Sequence, residues 1–504
     1  MAQLITLVTA SRKMGALTGA LAVGLLLGCS SSSPSSTGLN ASGGAAGMAE
    51  AAAGAGGLIP SSGSAGDGSA GAPTLNGVTF HKDVEPILQK SCQSCHVSGG
   101  IAPFPLLTFA EARPFGAAMV VQTANRIMPP WHAMNTDECT VPFGWKDDTR
   151  LTDDQIAIFK AWSDAGLPEG DPNDAPPPRE QAPGLAGVQL ELEPPAPYTL
   201  APGGDEFRCF VLDPKLAKDS FVSGVFVVPG NDAVVHHVLV FTDPDRNSLA
   251  LADDSMSYDC FGGARVSNSD LLTAWTPGGL PLEYPSNIAA PVKAGSLLVM
   301  QVHYHPHSAT DVAQDSTRLQ LRFSDTAPEY NAVTALIGNF SKLAATGDGL
   351  LPGPDDPASG PAFVIPANVK AHTETMQFTF RNLKTGGVAP RLYAVGGHMH
   401  YVGVDEKVTL TPAGGTPECL MQIPHWDFDW QRRYDYDAPI AQLPVLRTGD
   451  KLNVRCTYDN TLDNEKVAAS LLEQGLQAPH DVKLGETTLD EMCLVSLTAL
   501  YPAN

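Results

Sequence analysis

Two histidines spaced two residues apart, His398 and His400, form the arrangement on which the chemistry of this chain depends most. They lie in an apolar segment between Arg391 and Val404, which predicts a β-strand. Alternate residues of a strand point to the same face, so both imidazoles are expected to reach one metal ion. A half-buried strand with two exposed histidines is the alternative that this segment alone leaves open.

Three further histidines lie in two other predicted strands. His236 and His237 are adjacent in one of them, and His303 is near the end of the other, where Pro306 should stop regular pairing. Because neighbours on a regular strand point to opposite faces, ligands at both 236 and 237 require a local twist or the use of different ring nitrogens. A site of three imidazoles suits copper or zinc.

Met492 is the candidate third ligand for the pair His398 and His400. A thioether is a soft ligand that favours Cu(I) over zinc, so a His-His-Met site indicates copper chemistry. A buried methionine is far more often part of a core, and the assignment therefore depends on the other motifs.

A C-x-x-C-H motif is formed by Cys92, Cys95 and His96. This is the attachment signature of c-type haem, in which two thiols bind the haem vinyl groups and the histidine becomes an axial iron ligand. A disulfide or a zinc half-site also uses C-x-x-C, but the sequence has no second C-x-x-C. We therefore predict a haem domain.

The opposite axial ligand of this haem should be a methionine, which raises the iron's potential. Met128 is the predicted ligand, Met134 and Met119 are the fallbacks, and His132 is expected at the surface. Residues 151–162 have helical apolar spacing behind a threonine cap and should close the domain.

The composition limits the remaining possibilities. A chain of 504 residues should hold about three domains, and a net charge of −23 argues against nucleic-acid binding, which needs a basic face. Beyond residue 185, short alternating apolar segments separated by Gly, Pro, Asn and Asp predict an all-β fold.

The N-terminus indicates export. Arg12 and Lys13 precede an apolar run, residues 16–27, that is too short to span a bilayer. The run ends in Leu26-Leu27-Gly28-Cys29, which resembles a bacterial lipobox and implies cleavage before Cys29 and lipidation of its thiol. An ordinary signal peptide is the alternative. The Ser-, Gly- and Ala-rich residues that follow predict a flexible tether.

Taken in order, the motifs resemble those of the copper type II, ascorbate-dependent monooxygenases, a family that includes peptidylglycine α-hydroxylating monooxygenase and dopamine β-monooxygenase. The similarity covers about residues 190–504. The motifs that carry it are His236-His237, Gln301-Val302-His303-Tyr304, His398-Met399-His400 and Asp490-Glu491-Met492-Cys493.

The resemblance implies two antiparallel jelly-roll domains, each holding one copper, with a solvent-filled cleft between them. It assigns His236, His237 and His303 to an electron-storing copper. It assigns His398, His400 and Met492 to the copper that binds O2 and hydroxylates substrate. The histidines that match no ligand position are expected to be structural or exposed; they are His305, His307, His372, His425 and His480.

The predicted organisation follows from these motifs. The segments are a lipoprotein signal peptide (1–28), a flexible linker (29–76), a cytochrome c-like haem domain (77–172), a second linker (173–188), and the N-terminal (189–325) and C-terminal (326–504) copper domains. The resemblance also favours two disulfides, Cys209–Cys260 and Cys456–Cys493. Cys139 and Cys419 remain, and we expect them to bridge the haem domain to the second copper domain.

Two positions depart from the peptidylglycine enzymes. Gly396 and Ser496 stand where those enzymes carry an Arg and a Tyr that bind the substrate carboxylate, so a peptide C-terminus is not the expected substrate.

The expected function is hydroxylation of a C–H bond in a small organic substrate by O2. The cofactors are two copper ions and one haem c, and the one-electron donor is ascorbate or a periplasmic redox protein. The protein is expected in the periplasm or at the cell surface, held to a membrane by its lipid. An electron-transfer or copper-holding lipoprotein without turnover is the alternative.

Overall fold

The computed structural model describes residues 77–503 apart from 99–101, 179–183, 202–204, 262, 306–312, 339–347, 354–355, 357–359, 382–387, 486 and 488. The predicted signal peptide, Cys29 and the tether lie outside these residues. All described residues belong to one structural unit. In the described ranges, no helix is long and apolar enough to cross a bilayer.

The helical part surrounds the C-x-x-C-H motif. A π-helical turn, Phe80–Val84, leads into the first helix, and 3₁₀ turns lie at Arg113–Phe115 and Pro172–Asp174. The helices are α1 (Glu85–Ser91), α2 (Phe109–Ala112), α3 (Gly116–Ala124) and α4 (Asp153–Asp164), and a later helix, α5 (Glu465–Glu473), belongs to the β part.

The predicted closing helix is present and begins as its sequence indicates. The Thr152 hydroxyl accepts from the Gln155 backbone N–H, and the Gln155 side chain accepts from the Thr152 backbone, which forms a capping box at the start of α4. The apolar face of α4 places Phe159 and Trp162 in a small core with Phe80 and Leu88.

The first half of the β part has a sandwich-like arrangement of short strands. Its strands, with one that precedes them, are β1 (Gly144–Trp145), β2 (Leu190–Leu192), β3 (Tyr198–Thr199), β4 (Glu206–Leu212), β5 (Ser220–Val228), β6 (Val235–Asp243), β7 (Ser257–Asp259), β8 (Leu271–Trp275), β9 (Leu282–Glu283), β10 (Ile288–Val292), β11 (Leu297–Tyr304), β12 (Gln314–Asp315) and β13 (Arg318–Phe323). A 3₁₀ turn, Asn247–Ala250, follows β6.

The second half repeats this sandwich-like arrangement. Its strands are β14 (Tyr330–Gly338), β15 (Gly349–Leu350), β16 (Val364–Ile365), β17 (Lys370–Thr379), β18 (Arg391–His398), β19 (Gly403–Thr411), β20 (Glu418–Ile423), β21 (Tyr434–Asp437), β22 (Lys451–Asp459), β23 (Val482–Lys483) and β24 (Leu494–Pro502). Short 3₁₀ turns lie at Phe428–Trp430 and Ile440–Gln442.

One sheet runs through both halves. Its order is β1-β21-β18-β24-β14-β8-β6-β11-β4-β7, and β14 joins the halves because it pairs with β24 on one side and with β8 and β10 on the other. The ladders among the described strands are antiparallel except β10 with β14. The prediction of a mainly β protein is confirmed.

The segment between the helices α3 and α4 leaves the helical core. Trp131, Ala133, Val141 and Trp145 pack in the large β core, and β1 pairs with β21. The predicted haem-domain range, 77–172, therefore contains a segment of about fifteen residues that packs against the second β half.

Candidate functional site

The first histidine set lies where β6 and β11 pair. His303 pairs with His237, but the next pair is Tyr304 with Val235, so His236 is an extra residue in the ladder. Such a bulge twists the strand locally. The bulge lets the adjacent side chains of His236 and His237 turn to the same side, which is necessary if both are to bind one metal ion.

The Nδ1 atoms of this set converge. The Nδ1 atom of His237 lies 3.2 Å from that of His236 and 3.4 Å from that of His303. The Nε2–H of His303 donates to the Asp205 carboxylate at 3.2 Å, which leaves the Nδ1 lone pair free. Lone pairs this close repel unless a proton or a cation lies between them. The three rings offer one nitrogen each to a metal, all within 4.8 Å of one another.

Burial keeps these imidazoles neutral. It lowers the pKa of His236 and His237 well below the ordinary histidine value, and neighbouring histidines lower both further. Burial also lowers the pKa of His303, although Asp205 opposes it. Neutral imidazole is the form that binds a metal.

The second set begins at the end of β18. His398 is the last residue of the strand and His400 lies just beyond it, so the strand is shorter than its pattern indicates. The two rings nevertheless lie on the same side, with centroids 5.2 Å apart. The period-two spacing therefore brings the imidazoles together, as expected.

Hydrogen bonds orient both rings. The Nδ1–H of His398 donates to the Gln431 side-chain oxygen at 2.6 Å, and that of His400 donates to the Asp490 carbonyl at 3.0 Å. Since a carbonyl only accepts, each Nδ1 carries the proton and each Nε2 is free for a metal. Burial lowers the pKa of His398 to about 4 and that of His400 to about 3.

Glu491 fixes the backbone of Met492 beside His400. One carboxylate oxygen of Glu491 accepts from the backbone N–H of His400 at 2.9 Å and of Met492 at 3.0 Å. The other accepts from Val402 at 2.8 Å and Gly403 at 3.0 Å. Met492 is 9% exposed. His400 and Met492 thus share one buried carboxylate.

The two sets are adjacent. The ring centroids of His237 and His398 lie 6.0 Å apart. The Phe428 ring stacks on His236, with centroids 4.4 Å apart and planes at 17°, and meets His400 edge-on at 5.6 Å. The resemblance implies a solvent-filled cleft between the sets; here their rings approach closely, and an aromatic side chain packs between His236 and His400.

A cavity of about 590 Å³ lies against the C-x-x-C-H motif and is lined by Cys92, Cys95 and His96. The volume is within the ~300–1,000 Å³ range of cofactor pockets. Neither thiol is in a disulfide, and burial raises the pKa of Cys92 to about 12. The Nδ1–H of His96 donates to the Phe104 carbonyl at 2.9 Å, which leaves Nε2 free for a metal. These residues fit a covalently attached haem.

Two of the methionines considered as axial ligands line this cavity, namely Met128 and Met119. Met134 does not, because its backbone N–H donates to the Gln422 carbonyl of the second β half at 3.0 Å. His132 is partly buried rather than at the surface, and burial lowers its pKa.

The far wall of the cavity comes from the β part. It includes His236 and His305, together with Phe428 and Arg432. The sequence predicts a structural or exposed role for His305. Its Nδ1–H donates to Asp205 at 2.6 Å, so one carboxylate orients both His303 and His305.

Comparisons with known proteins give distant matches. No family model matches the chain. The chain is 24% identical over 345 residues to dopamine beta-hydroxylase of Equus caballus, covering 64% of this chain and 49% of that protein. It is 24% identical over 288 residues to dopamine beta-hydroxylase of Homo sapiens, covering 55% of this chain and 40% of that protein. The chain thus spans about half the length of these relatives or less.

The chain is thus distantly similar to dopamine beta-hydroxylases, the type of enzyme that its sequence motifs resemble. Solved structures add nothing to this. The major capsid protein P2 from bacteriophage PM2 has a TM-score of 0.25, 10% identity, and coverage of 62% of this chain and 98% of that one. PNGase F from Flavobacterium meningosepticum has a TM-score of 0.27, 9% identity, and coverage of 62% and 96%. TM-scores this low do not establish a shared fold.

The six cysteines outside the motif and the N-terminus form three disulfides. They are Cys209–Cys260, Cys456–Cys493 and Cys139–Cys419. The last joins the segment that leaves the helical core to β20, across 280 residues. Three disulfides fit an exported protein, since such bonds persist in oxidising compartments.

The backbone around Gly396 explains one departure from the peptidylglycine enzymes. A Cβ at this position would lie 2.8 Å from the Ser496 hydroxyl and 2.9 Å from the Arg432 carbonyl. No side chain fits without moving the neighbouring strand, so an Arg here has no room.

The other unassigned histidines lie apart from both sets. His372 is buried with its Nε2 3.0 Å from the Glu374 carboxylate, and His425 and His480 are exposed. His307 is outside the described residues.

Proposed function

We propose that this protein is an exported copper monooxygenase that hydroxylates a C–H bond of a small organic substrate with O2. The observation that supports this most is that two differently built ligand sets lie side by side. His236, His237 and His303 turn Nδ1 inward, whereas His398 and His400 keep Nε2 free, and the backbones of His400 and Met492 share the Glu491 carboxylate.

The two sets suit different tasks. Three imidazoles held on paired strands form a fixed nitrogen site that suits a copper changing only its oxidation state. Two imidazoles with a thioether favour Cu(I), the form that reacts with O2, and leave a position open. Bound copper would supply O2 activation; the chain supplies neutral ligands, their orientation and a water-poor surrounding.

The haem proposal rests on the cavity beside the C-x-x-C-H motif. Cys92 and Cys95 would hold the haem covalently, with His96 as one axial ligand and Met128 or Met119 as the other. A bound haem would supply single electrons, which a two-copper oxygenase needs from outside. Ascorbate or a periplasmic redox protein would then reduce the haem, and the lipid at Cys29 would hold the protein to a membrane.

The substrate is proposed only as a small organic molecule. The position of the carboxylate-binding Arg has no space for a side chain here, which argues against peptide C-termini. Dopamine, the amine after which the relatives are called, belongs in the substrate screen as one candidate among other small molecules.

The test compares Met492→Leu with Met376→Leu. Both methionines are buried, but Met376 lies on β17, in the second sheet of the same half. Copper-loaded protein is supplied with a reductant, candidate substrates and ¹⁸O2, and the product is analysed by mass spectrometry. The proposal predicts ¹⁸O in the product for wild type and Met376→Leu, and its loss in Met492→Leu.

The alternative is an electron-transfer or copper-holding protein without turnover. It predicts stoichiometric copper and reversible reduction, but no substrate-dependent O2 consumption in any variant. Absence of bound copper in the wild type would exclude both functions.

A further inference from the structure

His236 belongs to two sites at once. Its Nδ1 atom lies in the first histidine set, and its ring forms part of the wall of the cavity that contains Cys92, Cys95 and His96. Among the described residues, the cavity wall includes none of the other candidate copper ligands. A group in this cavity therefore faces the first set directly and reaches the second set only through other side chains.

Two contacts connect the sets beyond His236. The His237 ring lies 6.0 Å from the His398 ring, centroid to centroid. Phe428 stacks on His236 and contacts His400 edge-on, and it is itself part of the cavity wall. An electron that enters at His236 thus has short paths to the second set.

Covalent and ionic links hold the helical part against the β part. Cys139 is bonded to Cys419 on β20, and Glu138 beside it contacts Lys407 at 3.0 Å and Arg455 at 2.8 Å. The strand pairing of β1 with β21 adds a third link. These links indicate that the cavity wall is part of the folded protein and does not depend on a transient encounter.

We propose that His236 is the residue through which electrons pass from the haem cavity, so that the first histidine set is reduced before the second. This order rests on the proposed function. The step is one-electron and moves no atoms: ferrous haem becomes ferric while Cu(II) bound at the first set becomes Cu(I).

Flash photoreduction of the holoprotein tests the order. Protein with both coppers as Cu(II) is kept without O2, its haem is reduced by a light pulse and a photosensitiser, and haem reoxidation is followed by its visible absorption. His303→Ala removes a ligand of the first set without touching the cavity wall, and Met492→Leu alters the second set. Copper content and EPR spectra show which copper each variant retains.

The expected results differ sharply between the variants. Met492→Leu should oxidise its haem at nearly the wild-type rate, because the first set is intact. His303→Ala, with copper only in the second set, should be slower by about tenfold or more, equivalent to about 1.4 kcal/mol in the barrier. The order is overturned if His303→Ala protein that retains second-set copper oxidises its haem as fast as wild type.

Phe428→Leu provides an independent measurement, with Phe363→Leu as the matched control. Both rings are buried, but Phe363 packs on Tyr458 and is not in the cavity wall. Phe428→Leu should slow the passage of the electron from the first copper to the second, seen by EPR after freeze-quenching and timed from the reduction of the first copper. An equal rate of electron transfer between the coppers in Phe428→Leu and Phe363→Leu would refute the role assigned to Phe428.

Failure of the proposed function gives a different result. If wild-type haem is not oxidised by either copper, haem-to-copper transfer itself is wrong. If the wild-type haem transfers its electron to copper but the variants show no order between the two copper sets, only the assignment to His236 is wrong.

Discussion

Replacing Glu491 by glutamine tests whether one buried carboxylate holds the second ligand set together. The carboxylate accepts four backbone N–H groups, those of His400, Val402, Gly403 and Met492, at 2.8–3.0 Å. Burial raises the pKa of Glu491 to about 8, and the four amides oppose that shift. Measurements are therefore made above this pH, where wild-type Glu491 is ionised.

The expected loss of stability follows from the number of hydrogen-bond acceptors lost. Glutamine keeps one acceptor oxygen and turns an NH2 group toward the other pair of amides. Two buried N–H groups lose their acceptor at about 1–3 kcal/mol each, which destabilises the second β half by about 2–6 kcal/mol. Loss of a group that orients metal ligands also costs about 10–100-fold in metal affinity.

The assay measures copper affinity by competition with a chelator and stability by thermal unfolding. Asp243→Asn is the control, since the Asp243 carboxylate accepts from the backbone N–H groups of Asn247 and Ser248 in the first half, at 3.0 and 2.9 Å. We expect both variants to be less stable and only Glu491→Gln to lose second-set copper. Unchanged affinity at this set in folded Glu491→Gln protein would refute the reasoning.

Three further outcomes are expected. Gln431→Ala removes the acceptor of His398 Nδ1–H and should weaken second-set copper binding by about 10-fold or more, with first-set copper unchanged, measured by the same competition. Glu491, with a pKa of about 8, is protonated first as the pH falls, so second-set copper affinity should drop by about 10-fold or more between pH 9 and pH 7; His398 and His400, with pKa values of about 4 and 3, stay neutral and should keep the remaining affinity down to about pH 5, measured by equilibrium dialysis. Gly396→Ala places a methyl group 2.8 Å from a hydroxyl and 2.9 Å from a carbonyl and should lower stability by about 1–3 kcal/mol, seen as a lower unfolding temperature than for Gly415→Ala, whose nearest neighbour is 3.2 Å away.

Local pattern predicted the features that depend on neighbouring residues. The capping box at Thr152, the alternating β segments and the period-two pair His398 and His400 all depend on near neighbours in sequence. The twist required by His236 and His237 also follows from their adjacency, and the bulge supplies it.

The groups that orient the ligands were not predicted, for a physical reason. Asp205 lies 98 residues from His303, and Gln431 lies 33 residues from His398. Each is a single residue without a periodic context, and only the packing of the chain brings it to its histidine. Glu491 belongs to one of the sequence motifs, but its role depends on four amides from two segments.

The segment that follows Met128 packs in a different core from the one that its place in the sequence indicates. Trp131 and Trp145 fit the pattern of ordinary core residues of the helical part, because sequence pattern reports that a side chain is buried but not in which core. They pack instead on Tyr434 of the second β half, with ring centroids 5.3 and 5.5 Å away. The disulfide to β20 fixes the same segment, so the cavity has one helical wall and one β wall.

The opposite use of ring nitrogens by the two sets follows from what lies behind each ring. Nδ1 is the nitrogen closer to the backbone, so the first set would hold copper through the nitrogens nearest the paired strands β6 and β11. Asp205 enforces this by occupying Nε2 of His303. At the second set, Gln431 and the Asp490 carbonyl occupy Nδ1, so Nε2 of each ring is the nitrogen that would hold a metal. A thioether is a weaker ligand than an imidazole and would be easier to displace, which suits a copper that must take up an external ligand. The proposed division of labour between two coppers would therefore depend on these orienting hydrogen bonds as much as on the ligands.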